Sequence, residues 1–295
     1  MNKPVSILIT WDVDPSPEIP IEARRLSLDV TARLCKDFGI GSTFFVTANS
    51  THASPTKLEM IQNHDGEIGC HGLTHESEEE YDRMPEPMQR SYLELATSKL
   101  EASSGSKIRA FRGPRVKISS TTIRILAELG YIADSSVCSQ RIDLISSNLI
   151  NLGWLTAPRL PYKPHHDNVY KRGNLSPWEI PISAAGVPFI STILSVAGLP
   201  TMEMLFRLLY TEARRTGKPI VYLGHPIEFT SGWSIPFSWR ELTPGFIRTH
   251  GILLRKRLYR LGPAEWLAAT RKLFAYMGSF PDVQFRRVGD YAAGL

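Results

Sequence analysis

The sequence predicts an α/β fold in which mostly parallel strands close into a barrel. Apolar runs of strand length alternate with stretches whose apolar residues recur every third and fourth position, the pattern of a parallel sheet covered by helices. Polar residues suited to chemistry fall at the C-terminal ends of several runs, where barrels and open doubly wound sheets both bind. Contributions from several strands to one site favour the barrel. No Gly/Ser linker or compositional break divides residues 1–295, so one domain is expected.

Seven runs read as strands: 5–10, 42–47, 66–70, 108–112, 131–134, 178–183 and 219–224. They are short, rich in Ile, Val, Phe and Thr, and bounded by turn residues. Helices are expected over 22–38, 56–64, 86–103, 120–129, 201–216 and 263–277, where apolar residues recur with helical spacing between polar faces. Residues 136–177 contain Pro158, Pro161 and Pro164 and no clear period, so they read as an irregular insertion. From Ile180 to Met202 the chain carries no charge, but Pro181, Pro188, Pro200, Gly186 and Gly198 break a spanning helix. A buried strand followed by an apolar loop is expected there. A C-terminal basic helical region covers about 245–278, with Arg248, Arg255, Lys256, Arg257 and Arg260 among leucines in its first part.

Composition sets wider bounds. A hydrophobic share of 42% with 21% charged residues suffices for a large core and excludes wholesale disorder. The net charge of +5 is scattered, which argues against nucleic acid as a partner while leaving peripheral membrane contact open through the basic region. Three cysteines, Cys35, Cys70 and Cys138, lie in apolar runs without paired spacing, so no disulfide framework is expected. The first strand begins close to Met1, leaving no room for a cleavable signal. A cytoplasmic location is expected, extending to the inner face of the membrane.

The chemistry begins at Asp12 and Asp14, two apart at the end of the first run, where alternation puts both carboxylates on one side. His71 and His75 end the third run, four apart, which brings them together if the chain there turns helical. Two neutral imidazoles and one carboxylate suit one divalent ion, Zn first and Co, Ni or Mn as alternatives, with positions left for water and substrate. The other carboxylate is then free to act as a base. Two further groups read as solvated: Glu76, Glu78, Glu79 and Glu80 as an acidic run, and His165-His166-Asp167 as a polar loop.

Three more motifs stand at strand ends: Phe111-Arg112-Gly113-Pro114-Arg115, Asp134-Ser135-Ser136 and Leu223-Gly224-His225-Pro226. In order and placement, the five motifs resemble those of the polysaccharide deacetylase family (carbohydrate esterase family four), over about residues 5–228. The resemblance implies a deformed (β/α)7 TIM-like barrel and a metal-dependent amidohydrolase, a carbohydrate N-deacetylase. It implies that Asp14, His71 and His75 hold the metal, that Asp12 takes a proton from the attacking water, and that Arg112 orients Asp12. It further implies that His225 protonates the departing amine, that Asp134 keeps His225 charged, and that the Arg115 backbone N–H faces the oxyanion.

Departures from the family pattern bear on substrate. Val13 separates two aspartates that are more commonly adjacent, which places the chain in a branch with a spaced Asp-x-Asp motif and makes a chitin-like polymer a poorer fit. Arg115 stands where an aromatic residue is commoner and adds a cation, which suits an acidic substrate. The expected function is therefore deacylation, in the first place deacetylation, of an amino sugar or glycan precursor, including one attached to phosphate or lipid. Two readings stand beside it: allantoinase-like hydrolysis of a cyclic amide, and an inactive barrel that binds glycan or lipid. No Gly-x-Ser-x-Gly elbow or Walker-type loop offers another chemistry.

Overall fold

A computed structural model describes residues 4–141, 151–230 and 259–295. Residues 142–150 of the irregular insertion, and Arg248, Arg255, Lys256 and Arg257 of the basic element, lie outside the described residues.

Strand β1 (Val5–Val13) is buried along almost its whole length, as expected of a parallel strand covered on both faces. On one edge it pairs with β2 (Ser42–Val46), from Ile9 with Ser42 to Val13 with Val46. The sheet continues in parallel through β3 (Gly66–Cys70), β4 (Ala110–Phe111), β5 (Ala133–Asp134) and β6 (Trp178–Glu179). The opposite edge of β1 takes β9 (Ile220–Gly224), from Ile7 with Ile220 to Trp11 with Gly224, while β10 (Val283–Phe285) pairs with Val5 to Ile7 on the edge that β2 occupies further along.

The segment after β6 closes the ring. Ser183 donates its backbone N–H to Val221 O at 3.2 Å, and its Oγ accepts from the Val221 N–H at 2.9 Å; a single parallel bridge joins Ile190 to Leu223. Closure through isolated bonds in place of a ladder makes this a deformed barrel of seven strands, with β10 added outside the expected set. Between β6 and β9 lies a hairpin of β7 (Ala184–Ala185) and β8 (Val187–Pro188).

The helices fall where apolar spacing placed them: α1 (Ile21–Asp37), α2 (Pro55–Gln62), α3 (Glu86–Ser104) and α4 (Ser120–Glu128). Ser119 and Thr122 form a reciprocal cap that fixes the start of α4. A short α5 (Leu152–Thr156) lies within the insertion. Helix α6 (Ser191–Thr216) starts ten residues earlier than its predicted 201, within the run expected to be a loop. The break the composition implied is real but local. Gly198 adopts φ 80°, ψ 171°, and Pro200 then sits in the first turn of the second half, where its missing N–H costs no bond.

By length and composition, α6 could cross a membrane. In the fold, Leu194, Met202, Leu205, Phe206 and Leu209 are buried, and the helix packs on β9 and on α7 (Pro263–Gly278), as a core helix does. Helix α8 (Val288–Ala292) ends the chain. All three cysteines are buried and free, as expected.

Candidate active site

The C-terminal ends of β1, β3, β4 and β9 bring Asp12, Asp14, His71, Arg112 and His225 to one mouth of the barrel, with His75 on the loop after β3. Asp14 Oδ1 lies 3.4 Å from His71 Nε2 and 3.4 Å from His75 Nε2. It is buried and makes no hydrogen bond. One ligating atom from each of the three residues lies within 4.8 Å of the others. His71 Nδ1 is 2.8 Å from Arg112 O, so the ring donates there and turns a lone pair on Nε2 toward Asp14. An orphaned carboxylate oxygen facing two imidazole nitrogens is the donor set a divalent first-row ion takes, and the residues fit it.

Electrostatics agree. Burial alone would raise the Asp14 carboxyl, but His75 and His71 outweigh it and hold it well below the usual carboxylate range. Burial lowers His75, keeping it neutral as a ligand must be. For His71 burial acts the same way, but the Asp12 and Asp14 carboxylates prevail and raise it.

The histidines do not meet through a helical turn, as their four-residue spacing suggested. Residues 71–75 form a loop with Gly72 at φ 75° and His75 at φ 63°. Its organiser is Glu79. One carboxylate oxygen accepts from the Leu73 N–H and the Tyr81 hydroxyl, both at 2.7 Å; the other accepts from the N–H groups of Thr74 and His75, both at 2.7 Å, and from Thr74 Oγ1 at 2.9 Å. A side chain at Gly72 would collide with that carboxylate. Glu79 is 1% exposed, which corrects its reading as part of a solvated acidic run. Glu80 is also engaged, 2.6 Å from Lys117 Nζ.

Arg112 is fully buried. Its Nη1 donates to Asp12 Oδ1 and Thr10 Oγ1, both at 2.8 Å, while Nε and Nη2 donate to Ser135 O and Oγ at 2.7 and 2.8 Å. The guanidinium stacks over Phe45. Asp12 is thereby fixed beside the metal ligands, its Oδ2 3.9 Å from His71 Nε2.

His225 has a partner the sequence reading missed. Its Nδ1 lies 3.1 Å from Glu228 Oε1, and the same oxygen accepts from Ser191 Oγ at 2.6 Å. Burial would lower His225, but the bond to Glu228 and its charge win, pushing it up to about 9. Asp134, expected in this role, instead accepts from Ser136 Oγ at 2.5 Å and lies beside Glu179 on the neighbouring strand. Burial raises both carboxyls; the charge of Asp134 raises Glu179 further, whereas Glu179 opposes the rise at Asp134 as its hydrogen-bond partner. His-Pro-Ile-Glu carried the available signal, since a Glu three residues after a His in a tight turn faces it.

The Arg115 side chain is also placed differently from the substrate-facing cation expected. Its Nη2 donates to the carbonyls of His75 and Glu76, both at 2.8 Å, bracing the metal-ligand loop. Its backbone sits at φ 56° in the turn after β4. His165, His166 and Asp167 lie together on the partly exposed loop expected of them.

An Asp-His-His cluster that could hold a metal ion thus lies beside an arginine-held carboxylate and a glutamate-held histidine at the C-terminal mouth of a (β/α) barrel. Residues 2–133 match the polysaccharide deacetylase family model. Among solved structures, the chain is similar to a Mycobacterium smegmatis protein assigned to the polysaccharide deacetylases, with TM-score 0.66 and 19% identity over 100% of this chain and 91% of that one. It is also similar to a protein of Pseudomonas aeruginosa PAO1 with the same assignment, at TM-score 0.60 and 13% identity over 98% and 90%. The PuuE allantoinase gives TM-score 0.60 and 15% identity over 98% and 89%. At these identities the likeness is one of fold. No curated protein matches the chain.

Proposed function

We propose that the protein is a polysaccharide-deacetylase-family enzyme that hydrolyses the amide of an N-acylated amino sugar, in the first place an acetamide, with a divalent ion at Asp14, His71 and His75. The observation that carries this reading is the presence of two proton-handling groups beside that cluster, Asp12 held by Arg112 and His225 held by Glu228.

A divalent ion bound there lowers the pKa of water and polarises the amide carbonyl. The protein's own residues do the rest. Asp12, kept in place by Arg112, accepts the proton of the attacking water. His225, whose pKa Glu228 raises, hands a proton to the departing nitrogen, without which the amine is a poor leaving group. The Arg115 backbone N–H serves the developing oxyanion. The Asp134–Glu179 pair supports this wall from behind, through Ser136 and the Gly113 N–H it accepts at 2.8 Å.

Attachment of the sugar to phosphate or lipid would involve Arg255 and Arg257, outside the described residues, because the Arg115 guanidinium is already bonded to backbone carbonyls. The test is turnover of Zn-, Co-, Ni- and Mn-loaded protein on a panel of N-acetylated amino sugars, free and phosphate-linked, beside cyclic ureides. Acid and free amine released from the sugars support the reading. Turnover of ureides alone replaces it with the allantoinase-like one, and binding without turnover under every metal leaves an inactive barrel.

A further inference from the structure

The mouth that holds the cluster has another wall. Asp12, Asp14 and His225 share a cleft with Ser16, Ser27 and His52. His52 comes from the loop between β2 and α2 and belongs to none of the sequence motifs. It is 3% exposed, and its ring nitrogens are not among the fully enclosed side-chain atoms that lack a hydrogen-bond partner, so the ring's hydrogen-bonding capacity faces the cleft. A polar group so placed can exchange water for a polar atom of a ligand.

Two alternatives fail on the same geometry. His52 is not a fourth member of the metal-binding group, whose close-set atoms come from Asp14, His71 and His75. Nor is it a second proton donor. Burial first, then the charges of Arg24 and Lys57, push its pKa down to about 4 against the opposing pull of Asp14, so the ring is neutral at physiological pH. A neutral imidazole offers one donor and one acceptor, complementary to a hydroxyl, which is both.

We propose that His52 is a specificity-determining residue that hydrogen-bonds a ring hydroxyl of the substrate beside the amide being cleaved. This rests on the amino-sugar reading. The bond positions the sugar so that its amide meets the Asp12 and His225 side chains, and it selects substrates that carry the hydroxyl. A site built around a buried hydrogen-bonding group rejects an analogue lacking its partner, because the protein group is then left unpaired.

The experiment takes an N-acetylated amino sugar that the wild type turns over and its singly deoxygenated analogues, with wild type, His52→Leu and His52→Gln. Removing one particular hydroxyl should cost the wild type roughly 5–50-fold in kcat/KM, mainly through KM, and cost His52→Leu almost nothing further. His52→Gln, which keeps a donor and an acceptor, should recover part of the loss. Metal content should stay at the wild-type value in both variants. Equal losses in wild type and variants on every analogue, or no loss in wild type on any, would overturn the proposal. The wild-type series alone decides it should His52→Leu not fold. Failure of the amino-sugar reading looks different: the wild type then turns over none of the parent sugars.

Discussion

Replacing Glu228 by Gln keeps the side chain's shape and its bond to Ser191 while removing the charge that faces His225 Nδ1. The histidine's pKa is raised to about 9 from an ordinary 6.5, and Glu228 is the largest of the causes that raise it; Asp14 and Asp12 supply the remainder. If the whole elevation were lost, the protonated fraction at pH 8 would fall from ~0.9 to ~0.03, about 30-fold; with the two aspartates retained, roughly 5–30-fold is expected. At pH 6 both forms are largely protonated, so the difference shrinks to about twofold or less. The assay is kcat against pH from 6 to 10 on the metal-loaded protein. A bound cation lowers both alkaline limbs alike, so the separation between them is the readout. Stability follows the same sign. A folded-state pKa above the unfolded one means that the His225–Glu228 contribution is fully present below pH 6.5 and is lost as pH rises through about 9. An alkaline limb that stays in place in Glu228→Gln, with kcat reduced equally at all pH values, would refute the reasoning and return Glu228 to a packing role.

Two further outcomes follow from the geometry. Asp12→Asn should keep about one equivalent of metal, because Asp12 is outside the cluster, while kcat falls roughly 10²–10⁴-fold; metal analysis beside turnover checks both. Glu79→Gln sets an amide N–H among donors that need an acceptor. It should weaken metal affinity about 10–100-fold through the His75 loop and lower the thermal midpoint, read by metal titration and by melting of the apoprotein.

Much of the site was legible because its residues end apolar runs that are visible without a structure. Asp12, Asp14, His71, Arg112 and His225 each close a run that became a strand, and strand polarity then sends them to the same mouth. What was illegible depends on loops. Glu79 sits in an acidic stretch in which Glu76 and Glu78 are exposed, and only the fold of residues 71–75 around its carboxylate reveals it. Glu228 acts through a turn of four residues, too short for any periodicity to expose. His52 belongs to none of the motifs, and only the path of the loop after β2 brings it to the cleft beside Asp14 and Ser27.

The fold shows the same division. The starts of the parallel strands longer than four residues were found to within a residue, although β1 runs on to Val13 past its expected end at residue 10, whereas β10 is three residues long and gains its place from its edge contact with β1. The start of α6 was hidden because Gly198 and Pro200 read as helix breakers. They break the helix at one point, and Ser191 to Ala197 form a separate helical half whose Ser191 supports Glu228. Asp134 was placed correctly on its strand and given the wrong neighbour, since a strand-end position says which mouth a side chain occupies but not which side chain it meets there.

The most direct test of the account is bound divalent metal per chain, on wild type beside His71→Ala, with circular dichroism establishing that both are folded. About one equivalent in the wild type, lost in a folded His71→Ala together with amide hydrolysis, is the predicted result. A wild type that takes up no Zn, Co, Ni or Mn, or a His71→Ala protein that binds as much metal as the wild type, would contradict it.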